Sequence, residues 1–151
     1  MAGNAAIRGA FLAMNTMKFK FYGISAHAAQ SPESGRSALD AVELMNVGAN
    51  YLREHIIDKA RVHYTITNAG GAPNIVPSEA ESWYYVRAPR SKDVEEITER
   101  LYDIAKGAAL MTGTRVEIEH LGGCYELLPN DVLFELTYKN MQEIETPTYT
   151  E

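Results

Sequence analysis

The chain has 151 residues, of which 46% are hydrophobic, so it can build the core of one domain. Acidic residues outnumber basic ones by 20 to 14, and the formal charge of −6 argues against binding to nucleic acid or an anionic membrane. No apolar run approaches the roughly 20 residues of a membrane span. The single cysteine, Cys124, excludes an internal disulfide and fits a reducing, cytoplasmic location.

The first half of the chain predicts two strands around one helix. Hydrophobic residues alternate with polar ones over residues 17–22, which predicts a half-buried strand after a lead-in segment of residues 1–16. From about Gly35, apolar residues follow at spacings of three and four, which predicts an amphipathic helix, and Ser37 with Asp40 forms a capping box at its start. The helix stripe comprises Leu39, Val42, Met45, Ala49, Leu52 and Ile56. Residues 60–67 alternate again and predict a second strand.

The second half of the chain repeats this layout in the same order, without repeating the sequence. Residues 68–78 are rich in Gly, Pro and Asn and predict a turn, and residues 79–87 are β-prone and aromatic and predict a third strand. A second helix is expected from Ser91, its cap, to a stop at Gly113. Its stripe comprises Val94, Ile97, Leu101, Ile104, Ala108 and Met111. A fourth strand over residues 114–120 and a third helix over residues 131–145 complete the prediction.

The order β-α-β-β-α-β predicts an α+β fold of the ferredoxin-like type. Two helices, each with a single apolar stripe, can cover one face of a four-stranded antiparallel sheet. We assign residues 17–124 to this domain.

Motifs that would mark a complete active site are missing from the sequence. Neither G-x-S-x-G, G-x-G-x-x-G nor a Walker loop occurs, and the four histidines lack H-x-D or H-E-x-x-H spacing. Glu95 and Glu96 fall in the first turn of the second helix, and we interpret them as part of its solvent-exposed face rather than as a catalytic pair of carboxylates. The residues themselves therefore predict no metal site in this chain.

The local sequence does not decide the roles of three polar residues. His27 follows the first strand among small residues, Asn74 lies in the long turn before the third strand, and Arg87 lies near the end of that strand. On local grounds each has a simpler explanation, as a loop side chain, a turn residue and a surface charge respectively.

The stretches SAHAAQSPESGRSALDA (25–41), NAGGAPNIVPSEAE (68–81) and YYVRAP (84–89) contain these same three residues. In this order and spacing they resemble the lid, or dimerisation, domain of the M20 metallopeptidase and amidohydrolase family. The likeness is greatest to the branch of aminobenzoyl-glutamate and N-acyl-amino-acid amidohydrolases, and it covers nearly all of residues 5–147.

This resemblance implies a role for each residue. His27 would cross a dimer interface and bind the scissile carbonyl in the partner's active site, Asn74 would donate a hydrogen bond near that carbonyl, and Arg87 would bind the substrate's carboxylate. The substrate would be a small N-acyl amino acid and the assembly a homodimer.

The resemblance also implies what this chain lacks. Zinc or manganese would be bound by a catalytic domain outside it, so we expect this chain to need no cofactor and to be inactive alone. Residues 125–151 would be the truncated start of the return into that domain. Two alternative functions are not excluded. One is a self-standing ferredoxin-like module that binds a small metabolite. The other is an RNA-binding sheet, in which Trp83 and Tyr85 could stack on bases, although the acidic net charge is unfavourable for it.

Overall fold

The computed structural model describes residues 6, 9 and 11–144, which form four strands, three α-helices and two short 3₁₀ turns. In chain order the elements are β1 (Ala13–Tyr22), α1 (Ala38–Leu52), β2 (Arg61–Asn68), β3 (Glu79–Ala88), α2 (Ser91–Thr112), β4 (Arg115–Cys124) and α3 (Asp131–Glu143). The 3₁₀ turns, Pro32–Ser34 and Arg53–His55, flank α1. The element order predicted from hydrophobic periodicity is confirmed.

The four strands form one antiparallel sheet in the order β2-β3-β1-β4. β1 and β3 are therefore internal, whereas β2 and β4 are the edges. Both α1 and α2 pack on the same face of the sheet and against each other. This is the ferredoxin-like α+β sandwich expected from the sequence, and it leaves the other face of the sheet open.

The core lies between the sheet and the two helices. Met17, Phe19 and Phe21 of β1 are fully buried, and the Phe19 ring meets Tyr84 of β3 edge-on with centroids 5.3 Å apart. Both helices contribute the apolar stripes that their spacing predicts. The buried members of those stripes are Val42, Met45, Ala49, Leu52, Val94, Ile97, Leu101 and Ala108. Burial of these side chains supplies most of the favourable free energy of folding.

Several details of the prediction are wrong; one is the fourth strand, β4, which ends at Cys124 rather than at residue 120. β1 begins at Ala13 rather than Met17, because the polar Asn15 takes a core-facing position opposite Val86, where its side-chain NH₂ donates to Oγ1 of Thr98, and so interrupts the apolar alternation that marks a strand. Met111 was expected in the core but is 67% exposed, because the buried side of the last turns of α2 consists of Ala108 and Ala109.

The N-terminus of α2 is capped by a residue that is distant in sequence. Ser91, the predicted cap, is the first residue of the helix, and Arg90 at the cap position makes no side-chain cap hydrogen bond. Instead, Oε2 of Glu126 accepts a hydrogen bond from the backbone N–H of Ser91 at 2.9 Å. A carboxylate at this place satisfies an unpaired N–H group and lies at the favourable end of the helix dipole.

We expect Glu126→Ala to lower the free energy of unfolding at neutral pH but not in acid. Hydrogen bonds from the backbone N–H groups of Glu126 and Ser91 hold the pKa of this carboxyl below its usual range. Because the folded-state pKa is the lower one, the stabilisation is present above the unfolded pKa of about 4.3 and disappears as pH falls through the folded pKa. Urea unfolding at a series of pH values measures this, and an equal loss at every pH would contradict it.

The two ends of the sheet differ in the chain segments that connect to them. At the end that we call the loop end, Tyr22 pairs with Glu79 and Arg115, and the connections of residues 23–37 and 69–78 begin or finish there. At the opposite end, which we call the terminal end, Ala13 pairs with Ala88. The start of β1 and the end of β4 both lie at the terminal end.

The last helix, α3, differs from α1 and α2 because none of its residues is buried. Its exposed apolar side chains are Val132, Leu133, Leu136 and Tyr138. The helix ends at Glu143, two residues before its predicted end, and the assignment of residues 125–151 to the start of another domain stays a prediction.

Candidate functional site

His27 lies at the loop end, on a connection that is tied by its backbone to a second connection. Three hydrogen bonds join the two: Gly23 N–H to Ser78 O (2.8 Å), Val76 N–H to Ala26 O (2.9 Å) and Ala28 N–H to Asn74 O (3.0 Å). His27 and Ile75 also form an isolated antiparallel bridge. The histidine is therefore held by a small sheet-like platform rather than by a loose loop.

Two glycines allow this platform to close. A Cβ atom on Gly23 would overlap the carbonyl oxygen of Arg36, and one on Gly35 would come within 3.0 Å of the Val76 side chain. The close approach at Gly23 lets Ile24 and Arg36 exchange two backbone hydrogen bonds, of 2.8 and 2.9 Å. Neither glycine has a positive φ angle, so space is the restriction: Gly23 faces a backbone atom that cannot move aside, whereas a side chain at Gly35 would require only Val76 to shift.

The imidazole of His27 is exposed and presents one ring nitrogen outward as a donor. Its Nδ1 accepts a hydrogen bond from the backbone N–H of Ala29 at 3.3 Å. In the neutral ring an accepting Nδ1 leaves the proton on Nε2. The geometry thus assigns Nε2–H as a hydrogen-bond donor that is free to bind an oxygen atom outside this chain.

Asn74 stands beside His27, because its backbone oxygen receives the N–H of Ala28. Its side chain is exposed and makes no hydrogen bond within the part of the chain that the structure describes. The structure therefore brings two of the three predicted residues together at the loop end, each with a free donor.

Arg87 lies at the other end of the sheet. It pairs with Met14 of β1 and Arg61 of β2, close to the terminal end. From Glu79 at the loop end to Arg87, β3 runs eight residues of about 3.3 Å each, a distance of about 26 Å. One small N-acyl amino acid cannot reach Arg87 and His27 of the same chain.

The Arg87 guanidinium is exposed and lies over the ring of Tyr85, 5.6 Å from its centroid. No carboxylate pairs with it among the described residues. Arg61, directly across from it, turns its guanidinium towards the backbone oxygens of Asp58 and Ala60. Arg87 is thus an unneutralised cation on the open face of the sheet, able to receive an anion.

The described residues include no group of three or more His, Cys, Asp or Glu side chains that could hold a metal ion. His63 points to the open face opposite buried Val62, as its place in the alternation predicts, and Glu95 and Glu96 are exposed on α2. The zinc or manganese implied by the family resemblance therefore has no site in this part of the chain.

A family model described as the peptidase dimerisation domain, M20_dimer, matches residues 13–111. The chain belongs to this M20 dimerisation-domain family. One of the p-aminobenzoyl-glutamate hydrolase subunits of Escherichia coli (strain K12) is 52% identical over 132 residues, which are 87% of this chain and 27% of that protein. The Xaa-Arg dipeptidase of Mus musculus is 37% identical over 134 residues, or 88% of this chain and 31% of the relative.

Solved structures agree with this M20 assignment. An aminobenzoyl-glutamate utilization protein from Klebsiella pneumoniae has a TM-score of 0.73 at 26% identity, over 83% of this chain and 32% of that one. A hydantoinase/carbamoylase family amidase from Burkholderia vietnamiensis shares the fold, with a TM-score of 0.78 at 14% identity over 89% of this chain and 33% of its own. The family and the branch expected from three sequence motifs are confirmed.

The M20 dimerisation domain accounts for most of this chain but for little of its relatives. The chain spans 27% and 31% of the two curated relatives named above. No described helix is both long enough and apolar enough to cross a membrane.

Proposed function

We propose that this chain is the lid and dimerisation domain of a dinuclear-metal amidohydrolase that cleaves small N-acyl amino acids of the aminobenzoyl-glutamate type. It is inactive alone and contributes carbonyl- and carboxylate-binding residues to an active site whose metals lie outside its described residues. The observation that carries the proposal is the pairing of His27 and Asn74 on a rigid platform, each with a free donor. The 52% identity to part of a p-aminobenzoyl-glutamate hydrolase supports the substrate class.

The distance between the two ends of the sheet supports action across a dimer. In a longer enzyme with this domain inserted, the catalytic domain connects at the terminal end, where β1 starts and β4 finishes. His27 and Asn74 lie at the loop end, about 26 Å away along β3. A partner related by two-fold symmetry can present its loop end to that catalytic domain. Each active site then combines His27 and Asn74 of one chain with Arg87 of the other.

The two donors at the loop end suit the chemistry of amide hydrolysis. Attack on the scissile carbonyl converts its oxygen into an oxyanion, and donors aimed at that atom stabilise the transition state more than the ground state. Nε2–H of His27 and the side-chain NH₂ of Asn74 can both donate to it. The platform fixes the backbone of both residues, so little reorganisation is needed when the substrate arrives.

Arg87 is suited to bind the carboxylate of the substrate. A planar guanidinium can donate two parallel hydrogen bonds to one carboxylate, which fixes the orientation of an amino-acid product group. Its lack of a carboxylate partner within the described residues keeps it available for that contact. We also place the protein in the cytoplasm, in keeping with its single, exposed and unpaired cysteine.

We expect the chain to sediment as a homodimer at micromolar concentration, joined through the β2 edge. Edges of sheets pair unless charges or bulges protect them. Both edge strands have a register shift, but β4 carries three charged residues, Arg115, Glu117 and Glu119, whereas β2 carries one, Arg61. Ile66→Lys on β2 should therefore weaken the dimer.

Leu121→Lys on β4 is the matched control, since Ile66 and Leu121 are 39% and 42% exposed. We expect it to leave the sedimentation coefficient unchanged. A strict monomer would contradict the dimer, and dissociation by the Leu121 variant alone would move the interface to β4.

A chimera tests the enzymatic role. In it, this chain replaces the matching segment of the E. coli p-aminobenzoyl-glutamate hydrolase polypeptide to which it is 52% identical. Hydrolysis of p-aminobenzoyl-glutamate is assayed with and without the second polypeptide of that hydrolase. Activity of the chimera without the second polypeptide is the expected result for a homodimer. If the chimera is active only when the second polypeptide is present, the functional assembly is a heterodimer rather than a homodimer. A folded chimera without activity in either assay would overturn the proposed role.

A further inference from the structure

The segment that follows β4, residues 125–130, leaves the sheet at the terminal end, and we call it the exit linker. Among the described residues, two hydrogen bonds attach it to the rest of the domain. The N–H of Leu127 donates to the backbone oxygen of Phe11 at 3.3 Å, and the carboxylate of Glu126 accepts the Ser91 N–H at 2.9 Å. The first bond keeps the exit linker beside the chain that leads into β1, and the second ties it to α2.

A cavity of about 220 Å³ lies between the start of the exit linker and the first turns of α2. Its walls include Val94 and Glu95 of α2, Gly123 at the end of β4, and Tyr125. The Tyr125 side chain is 78% exposed and therefore does not fill this space. At this place the exit linker is joined to the helix by the hydrogen bond of Glu126 rather than by apolar packing.

The charge of Glu126 strengthens this contact. A carboxylate that accepts a backbone N–H forms a hydrogen bond roughly twice as strong as a neutral one, and this carboxylate lies at the positive end of the α2 dipole. The backbone N–H groups of Glu126 and Ser91, together with the nearby Arg90 guanidinium, hold the pKa of the carboxyl below its usual range. The contact is therefore present in its charged form at neutral pH.

We propose that Glu126 is a positioning residue: it fixes the direction in which the exit linker leaves the domain, and thereby the angle between this domain and a catalytic domain attached to it. The inference rests on the proposed function, in which His27 must meet an active site outside its own chain. His27 lies about 26 Å from the terminal end, so a rotation of about 5° at the exit linker changes its position relative to the catalytic domain by about 2 Å. A misplacement of about 1 Å can lower a rate by a hundredfold.

A helix cap that has no influence on the exit linker is the simpler explanation of this contact. Helices are usually capped by the residue directly before them, but Arg90 at that position makes no side-chain cap hydrogen bond. The cap comes instead from a residue 35 positions after Ser91, so it forms only while the exit linker runs past the helix. The two explanations differ in what they predict for Leu127, which lies on the exit linker and not on α2.

Backbone ¹⁵N relaxation of the complete chain separates these explanations without any enzymatic activity. Glu126→Ala should lower the order parameters of residues 125–130 from about 0.85 to below about 0.6. Glu126→Gln, whose amide oxygen can still accept the Ser91 N–H, should keep most of the order. Glu95→Ala is the matched control, because it removes an exposed carboxylate from the same cavity and should leave the exit linker unchanged. If Glu126→Ala loosens Ser91 but not Leu127, Glu126 only caps α2 and the inference is overturned.

The chimera tests the consequence for catalysis, at a temperature where every variant is folded. Glu126→Ala should lower kcat about ten- to a hundredfold, and Glu126→Gln should retain most of the parent's kcat. In a chimera that already carries His27→Ala the loss should be smaller, because the group to be positioned is gone. Parental kcat in Glu126→Ala, or an equal loss in both backgrounds, would overturn the positioning role and leave the proposed function standing. A folded chimera without any activity would reject the proposed function, whereas the relaxation data would still support or reject the control of the exit linker by Glu126.

Discussion

His27→Ala in the chimera is expected to lower kcat by about a hundred- to a thousandfold, which corresponds to about 2.7–4 kcal/mol of transition-state stabilisation. The lost group is the Nε2–H donor that the Ala29 contact leaves facing outward. Because the oxyanion exists only in the transition state, kcat and kcat/KM should fall together, with KM nearly constant. Steady-state kinetics on p-aminobenzoyl-glutamate measure both constants.

His120→Ala is the control for this prediction. His120 is an exposed histidine on β4 that has no place in the proposed site, so its removal should leave kcat unchanged. The His27 variant should also keep the sedimentation coefficient and the unfolding midpoint of its parent, because the His27 side chain is exposed. Full activity of His27→Ala would show that this residue is an ordinary loop histidine.

Gly23→Ala is expected to destabilise the fold by about 3 kcal/mol or more, at the upper end of what added atoms cause in packed regions. Its Cβ would overlap the carbonyl oxygen of Arg36, a backbone atom that cannot rotate away. Relief of this clash requires the paired hydrogen bonds between Ile24 and Arg36 to break. Denaturant unfolding measures the loss, and in the chimera the displaced platform should lower kcat as well.

Gly107→Ala is the matched glycine control. Gly107 lies inside α2, and apart from its chain neighbours and the backbone of its own helix nothing lies within 4 Å of a Cβ built on it. Alanine loses less conformational entropy than glycine in a helix, so this variant should gain about 0.5–1 kcal/mol. If both variants changed stability equally, the close approach of Arg36 to Gly23 would not restrict this position.

Most of the sandwich could be predicted because its signals are local. The alternation of Met17, Phe19 and Phe21 and the spacing of the helix stripes each arise within a few residues of the chain. Ser37 is a clear case, because its side chain caps α1 through the N–H of Asp40, three residues away, as the capping box predicts. Gly113 ends α2 with φ of 65°, as expected for a glycine C-cap.

The features that could not be predicted depend on residues far apart in the chain. The cap of α2 comes from Glu126, 35 residues after Ser91, and no local pattern connects them. The early start of β1 was hidden by the polar Asn15, whose core-facing side chain donates to Thr98 of α2, 83 residues away. In both cases tertiary contacts supply what the local sequence does not.

The candidate site also combines residues that local motifs predict with an arrangement that depends on distant parts of the chain. The motifs marked His27, Asn74 and Arg87, but the sequence does not reveal that the first two share a platform while the third lies at the opposite end of the sheet. That separation follows from the register of β1 with β3, and the register is fixed by the whole core. Gly23 and Gly35 were missed as parts of the site, although glycines on both sides of a histidine with small neighbours were a usable signal.

Subunit mixing tests most directly whether His27 serves the active site of the other chain. The His27→Ala chimera is combined with a chimera inactivated in its catalytic domain, and exchange between differently tagged copies is verified. Half of the dimers are then mixed, and each mixed dimer has one complete site, so activity should rise to about one quarter of the unmodified chimera. If the subunits exchange and the mixture stays as inactive as its two parents, His27 does not act across the interface.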